Sequence, residues 1–384
     1  MITIIRNVHV YSPEDLGVQD VLIVGKQIHA VGGDFDLWAK LPETTEIDGT
    51  GKLLVPGFVD SHVHILGGGG AAGFGSRGPE TSFSETVLAG TTTVVGVVGV
   101  DQEGRDLKTL YAKTKSLEFR GITAKMFTCG FDTEVTITGS IKSDIYLVDN
   151  VIGAKCCVSD RRGAQTTYED LKKAMATTAL GGLLSRKAGV LHIHMGDAPA
   201  GLTPVIDAQQ ETAVMIKNIV PTHINRNELL MEQGLTWTKN GGVVDFTPCI
   251  YPPDFKRATK TVQAVSEYLK AGVPIEQITI STDANGVHTI HGFERMARNP
   301  MDLMYKEFLE MIKGEGISMT DCLKCVSTNV ARVLRLEEKG KVAPGMDADL
   351  MLLDPESLEI KMVMALGVKL VENGRLVSPP PLDV

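Results

Sequence analysis

The sequence predicts an α/β fold: a (β/α)8 barrel of the TIM type with a small β-sandwich domain formed from both chain ends. Three observations predict it. Short, β-branched apolar runs recur through the middle of the chain and alternate with stretches of helical periodicity, the pattern of parallel strands joined by crossover helices. The two ends read differently, as short alternating strands broken by turn dipeptides such as Asn373-Gly374, and this suits one shared β domain. A length of 384 residues fits one barrel plus an accessory domain. The expected boundaries are 1–53 plus 341–384 for the small domain and 54–340 for the barrel.

Taken in order, the chain opens with MITIIRNVHVYS, which alternates as a strand and lacks the basic start, apolar stretch and cleavage site of a signal peptide. A cytoplasmic location is expected. The eight barrel runs lie near 54–60, 91–98, 123–129, 151–158, 189–195, 218–223, 243–248 and 278–283. Helical candidates between them include 106–120, 168–184 and 259–271, the last followed by Gly272 as the expected C-cap. The most apolar stretch, 93–100, is short and interrupted by glycine, whereas a bilayer span needs about 20 apolar residues. The glycine run 67–70 follows the first barrel run but lacks the lysine and Ser/Thr of a phosphate loop, so close backbone approach is the expected reason for it.

Composition excludes several function classes. Apolar residues at 43% and charged residues at 22% leave little room for disorder. A formal charge of −9 without a dense Lys/Arg run offers no footprint for nucleic acid. Six cysteines are too sparse for a secreted disulfide framework. Cys322 and Cys325 form a C-x-x-C within a helix-periodic segment, read here as one helix face rather than a redox or zinc pair.

In such a barrel the chemistry sits at the C-terminal ends of the strands. Five metal-capable side chains fall there, at four strand ends. The first run ends in Asp60-Ser61-His62-Val63-His64, and an i, i+2 pair on a strand points both imidazoles to one side. His194 ends the fifth run, His223 the sixth and Asp283 the eighth. A lone histidine in an apolar strand is more often a hydrogen-bonded core residue, but five residues at matching strand ends suit zinc or a similar divalent ion. His192, two residues before His194, is expected one layer deeper as a supporting or core residue. Lys155 ends an apolar run where a neutral amine is favoured. Such an amine can take up carbon dioxide, and the carbamate could bridge two metal ions. The alternative is a lysine paired with a barrel carboxylate, and the residues alone leave both readings open.

The segments PGFVDSHVHILGGGG, IGAKCCVSDRR, HMGD, PTHINRN and STDANG, with PGMDADLMLLD near the C-terminus, resemble the isoaspartyl dipeptidase family of the amidohydrolase superfamily over nearly the full length. The resemblance implies hydrolysis of the β-aspartyl isopeptide bond of a dipeptide by metal-bound hydroxide. It implies two zinc ions held by His62, His64, His194, His223 and Asp283 and bridged by carboxylated Lys155 and hydroxide. Since the nitrogen must leave as an amine, Asp283 is expected to act also as general base. It implies that Arg162 and Arg226 hold the substrate's α-carboxylate, that Gly69 lies against the substrate, and that the chain forms a homo-oligomer such as an octamer. Three positions depart from the family. Ala71 stands where the family has a glutamate for the substrate's α-ammonium, Phe131 where it has a carbonyl-polarising tyrosine, and Val287 where it has a serine. Glu80 or Glu134 is the expected replacement anion. The departures keep open a related amidohydrolase acting on another acidic N-acyl or cyclic amide. A non-catalytic descendant would typically lose metal ligands, and all six positions are kept.

Overall fold

The computed structural model describes residues 1–250, 255–290 and 295–377. Among these, eight parallel strands follow one another in chain order around a barrel: Phe58–Val63, Thr91–Gly96, Thr123–Cys129, Val151–Val158, Val190–Met195, Ile219–Thr222, Val244–Phe246 and Ile278–Ile280. Each pairs with the next in parallel register. The ring is drawn together at its mouth by one bridge between Val63 and Ala284, where His64 N donates to Ala284 O at 2.9 Å. The first, second and fourth strands are buried along their whole length, which is why their sequences read as continuous apolar runs rather than alternating ones.

Three expectations need correction. The run 54–60 is two strands, because Pro56-Gly57 interrupts it. Leu53–Pro56 pairs with Ile2–Tyr11 and with Leu350–Leu353 in the terminal sheet, and the barrel begins at Phe58. Gly57 sits where a β-carbon would come within 2.3 Å of Thr92 Oγ1, so only glycine allows this crossing. The expected boundary after residue 53 therefore falls inside a strand. Strands seven and eight are shorter than expected, which leaves Asp283 on the loop three residues beyond Ile280. The third correction concerns a cap: the helix Thr261–Lys270 is capped by Ala271, and Gly272 follows it at φ +82° in the left-handed conformation that ends helices.

Other helices start where their caps predict. Asp106 caps Leu107–Phe119, and Thr167 with Asp170 forms a capping box at Tyr168–Ser185. Cys322 and Cys325 are free and buried on consecutive helical turns, Met319–Leu323 and the π-helical Lys324–Thr328. The terminal segments form a nine-stranded sheet. Val21, Ile23 and Ile28 from the N-terminal part share one core with Leu350, Leu352, Met362 and Met364 from the C-terminal part. No helix among the described residues is long and apolar enough to cross a membrane.

Candidate metal centre

The first strand delivers His62 and His64 to the barrel mouth. Asp60, fully buried beneath them, accepts from the backbone N of His62 and of Thr282, both at 3.2 Å, and so ties the first strand to the segment after the eighth. Burial pushes the Asp60 carboxyl up to about 7. His62 Nε2 lies 2.7 Å from Lys155 Nζ and 3.3 Å from Asp283 Oδ1, and His64 Nε2 lies 3.0 Å from the same Oδ1. The ligand atoms of His62, His64 and Asp283 all fall within 4.8 Å of one another. The His223 ring stands 5.3 Å from that of His62 and 4.6 Å from that of His194, between centroids.

Two further placements differ from a simple ring of six. His194 Nε2 is 2.9 Å from Asp160 Oδ2 and 3.2 Å from Arg162 Nη2, so Asp160 and Arg162 already engage this nitrogen. His192 Nε2 reaches His62 Nδ1 at 3.1 Å, one layer below the mouth. His223 and Asp283 both adopt left-handed backbone, at φ 66° and 51°, a conformation costly for residues other than glycine and often concentrated at functional sites.

The donor set fits a divalent ion. Burial lowers the basicity of all four imidazoles: His62 and His223 well below the ordinary value, His64 below it, and His194 to about 3. Neutral imidazoles with a free lone pair are what a metal takes. His223 Nε2 is buried and has no hydrogen-bond partner among the described residues, an arrangement that costs free energy until something binds there. Burial lowers Lys155 to about 8, and no carboxylate of the described residues stands within ion-pair distance of it. The alternative of a lysine paired with a barrel carboxylate is therefore not the arrangement found. Burial would raise Asp283, but the hydrogen bond and electrostatic attraction of His64, with that of Lys155 and His194, outweigh it and hold the carboxyl at about 2.

Around this centre, Arg162 forms a two-point pair with Asp160, Nε at 3.0 Å and Nη2 at 2.6 Å. Arg226 is buried, its Nε is unpartnered among the described residues, and its Nη1 reaches Asp197 only at 3.5 Å. The Phe131 ring lies 4.6 Å from that of His194 and 5.5 Å from the Arg162 guanidinium carbon. Gly69 has φ +93°, and a β-carbon there would come within 2.0 Å of Ser76 O; Val287 packs on the same loop. Ala71 is exposed. Glu80 is ion-paired with Lys113 at 2.9 Å, and Glu134 is exposed on the loop after the third strand, so Glu80 is already committed to a cation outside the centre.

Reading the sequence missed Asp60, Asp160 and Thr247. The first two stand inside quoted segments and carry the right chemistry. Thr247, whose Oγ1 lies 2.8 Å from His223 Nδ1, has no metal-binding chemistry of its own and gave no signal. A largely apolar depression of about 740 Å³, lined by Leu180, Leu183, Met215 and Val333, opens near the starts of strands five to seven, at Ala188, Asn218 and Val243. It lies at the barrel end opposite the mouth.

The amidohydrolase family model matches residues 53–377. β-Aspartyl dipeptidase from Fervidobacterium islandicum AW-1 is 37% identical with a TM-score of 0.90, covering 98% of each chain, and its structure has been solved also with a β-Asp-Leu dipeptide. Adenine deaminase 1 of Latilactobacillus sakei is 25% identical over 375 residues; the match takes in 93% of this chain but 55% of that protein, so the chain spans about half its length. Imidazolonepropionase of Anaeromyxobacter is 23% identical over 416 residues, 96% of this chain and 93% of that protein.

Proposed function

This chain belongs to the amidohydrolase family, on its isoaspartyl dipeptidase branch, and from that premise we propose that it hydrolyses the β-aspartyl bond of isoaspartyl dipeptides. The observation that carries the reading is the meeting of His62, His64 and Asp283 within 4.8 Å at the barrel mouth, beside buried Lys155 and the open nitrogen of His223. His62, His64, His194, His223, Asp283 and a carboxylated Lys155 would hold two zinc ions, which when bound supply Lewis acidity and lower the pKa of water. Lys155 suits carboxylation because burial favours its neutral amine, and the amine rather than the ammonium reacts with carbon dioxide.

Asp283 is kept ionised beside His64. It takes a proton from the attacking water and passes it to the departing nitrogen, which leaves as an amine. Arg226, buried with its Nε unpartnered among the described residues and only a 3.5 Å contact to Asp197, is the main anchor for the substrate's carboxylate. Arg162 shares its fork with Asp160 and supports that anchor from the other side. Gly69 keeps the loop backbone close enough to lie along the substrate, and Phe131 shields the centre from water on the His194 side. We place this activity in the cytoplasm, and in a homo-oligomer as the family resemblance implies.

A second reading is favoured by one group of observations: Ala71 is exposed, Phe131 and Val287 offer no hydroxyl, and Glu80 is bound to Lys113. An acidic N-acyl or cyclic amide needs no anion for an α-ammonium. Initial rates on β-Asp-Leu, α-Asp-Leu, N-acetyl-aspartate and dihydroorotate separate the two. Turnover of β-Asp-Leu well above the others is expected; turnover confined to the N-acyl or cyclic compounds would replace the first reading with the second.

A further inference from the structure

The residue after the seventh barrel strand, Thr247, is wired to a histidine at the mouth. Thr247 Oγ1 lies 2.8 Å from His223 Nδ1. The same hydroxyl lies 3.4 Å from Thr222 Oγ1, which donates its proton to Asp245 Oδ2 at 2.6 Å. Asp245 also accepts from Thr279 Oγ1 at 2.8 Å and from Ser281 Oγ. Each of these groups is buried.

The direction of the chain follows from proton counting. A carboxylate only accepts, so Thr222 spends its one hydroxyl proton on Asp245. Thr222 Oγ1 can then only accept along the chain, which leaves it open to the Thr247 hydroxyl at 3.4 Å. His223 Nδ1 has an acceptor in Thr247 Oγ1 at 2.8 Å whereas buried Nε2 has none among the described residues, so the imidazole proton is better placed on Nδ1, with the lone pair on Nε2.

Position is fixed as tightly as polarity. Asn225, two residues after His223, accepts from Thr247 N at 2.9 Å through Oδ1 and donates to Thr247 O at 3.1 Å through Nδ2. The short turn that forces His223 to φ 66° thus also grips the backbone of its hydroxyl partner.

We propose that Thr247, oriented by Thr222 and Asp245, is a positioning residue that fixes the Nδ1–H tautomer and ring plane of His223, so that Nε2 is presented as a ready ligand. The inference rests on His223 being a metal ligand. Hydrogen-bond partners of ligating histidines commonly set metal affinity by ten- to a hundredfold, and Thr247 does so for the ion that His223 holds. The ion held by His62, His64 and Asp283 is left in place.

The test is zinc stoichiometry of the full chain, dialysed against chelator-buffered zinc at graded free concentration. Wild type and Thr247→Ser should bind two equivalents. Thr247→Val, of similar volume without an acceptor, should keep one equivalent and lose affinity for the other by ten- to a hundredfold. Two equivalents at wild-type affinity in Thr247→Val would overturn the inference, while wild type binding no zinc would overturn the metal reading beneath it. Should Thr247→Val fail to fold, ¹⁵N-histidine NMR of metal-free wild type decides: His223 protonated at Nδ1 supports the proposal, and protonation at Nε2 ends it.

Discussion

Asp283 is buried beside His64, its carboxyl is held at about 2, and its backbone sits at φ 51° on the loop after the eighth strand. A side chain in such a place costs stability unless its chemistry is used. An amide there could still coordinate but could not accept the proton. Asp283→Asn should therefore lower turnover by about 10²- to 10⁴-fold while zinc content, measured on the same sample, stays near wild type. Turnover within a few-fold of wild type with zinc retained would remove Asp283 as the base. Lys155 makes a related point: burial, only partly offset by the attraction of Asp283, brings its ammonium down to about 8, so the reactive neutral amine is far better populated than in an exposed lysine before any ion is considered.

At the scale of elements, the helix Thr261–Lys270 lacks a side-chain cap of its own, since its N-cap is Lys260. Glu307, from the helix Leu303–Lys313, supplies one by accepting from Val262 N at 2.9 Å. The same helix start is tied to the His223 turn, because Asn225 Nδ2 donates to Thr259 O and Thr259 N donates to Asn225 O. Losing this borrowed cap in Glu307→Ala should cost about 1–2 kcal/mol, read as a lower urea midpoint, with Glu307→Gln retaining most of it. Burial pushes the Glu307 carboxyl from 4.5 up to about 7. In that window the folded chain holds a proton that the unfolded chain has lost, so this group's contribution to stability falls as pH rises from about 4.5 to about 7. Comparing urea midpoints at pH 5 and 7.5, the pH-linked loss should be smaller in Glu307→Gln than in wild type. An equal loss in both would show that Glu307 is not its source.

At the scale of the whole molecule, the barrel separates two ends with different surfaces. The mouth gathers the charged and metal-capable groups. The opposite end exposes Leu180, Leu183 and Met215 around the apolar depression, with Leu184 exposed on the same helix. A cluster of exposed apolar side chains of this kind is an expected contact surface between copies of a chain. Light scattering should give a mass that is a multiple of 41.3 kDa, and Leu183→Lys should shift it toward smaller species. A wild-type mass of one chain would refute the homo-oligomer.

The alternation of apolar runs with helical periodicity determined the barrel by itself, because strands buried on both faces must be apolar along their length. The i, i+2 spacing of His62 and His64 likewise determined that both imidazoles leave the strand on one side. The end of the strand Leu53–Pro56 was not legible, since 53–59 reads as one apolar run across Pro56-Gly57 and only the approach of Gly57 to Thr92 shows that it serves two sheets. Nor was the role of a threonine. Thr247 has a side chain that suits any buried strand end, and it acquires meaning only when Thr222 and His223, from the end of the sixth strand, close around it and its neighbour Asp245. Ligand chemistry is carried by residue type and spacing, so sequence exposes it. The choice of Asp160 by His194, the commitment of Glu80 to Lys113 and the direction of a hydrogen-bond chain depend on which neutral or charged neighbours arrive from elsewhere in the fold, and only the tertiary structure decides that.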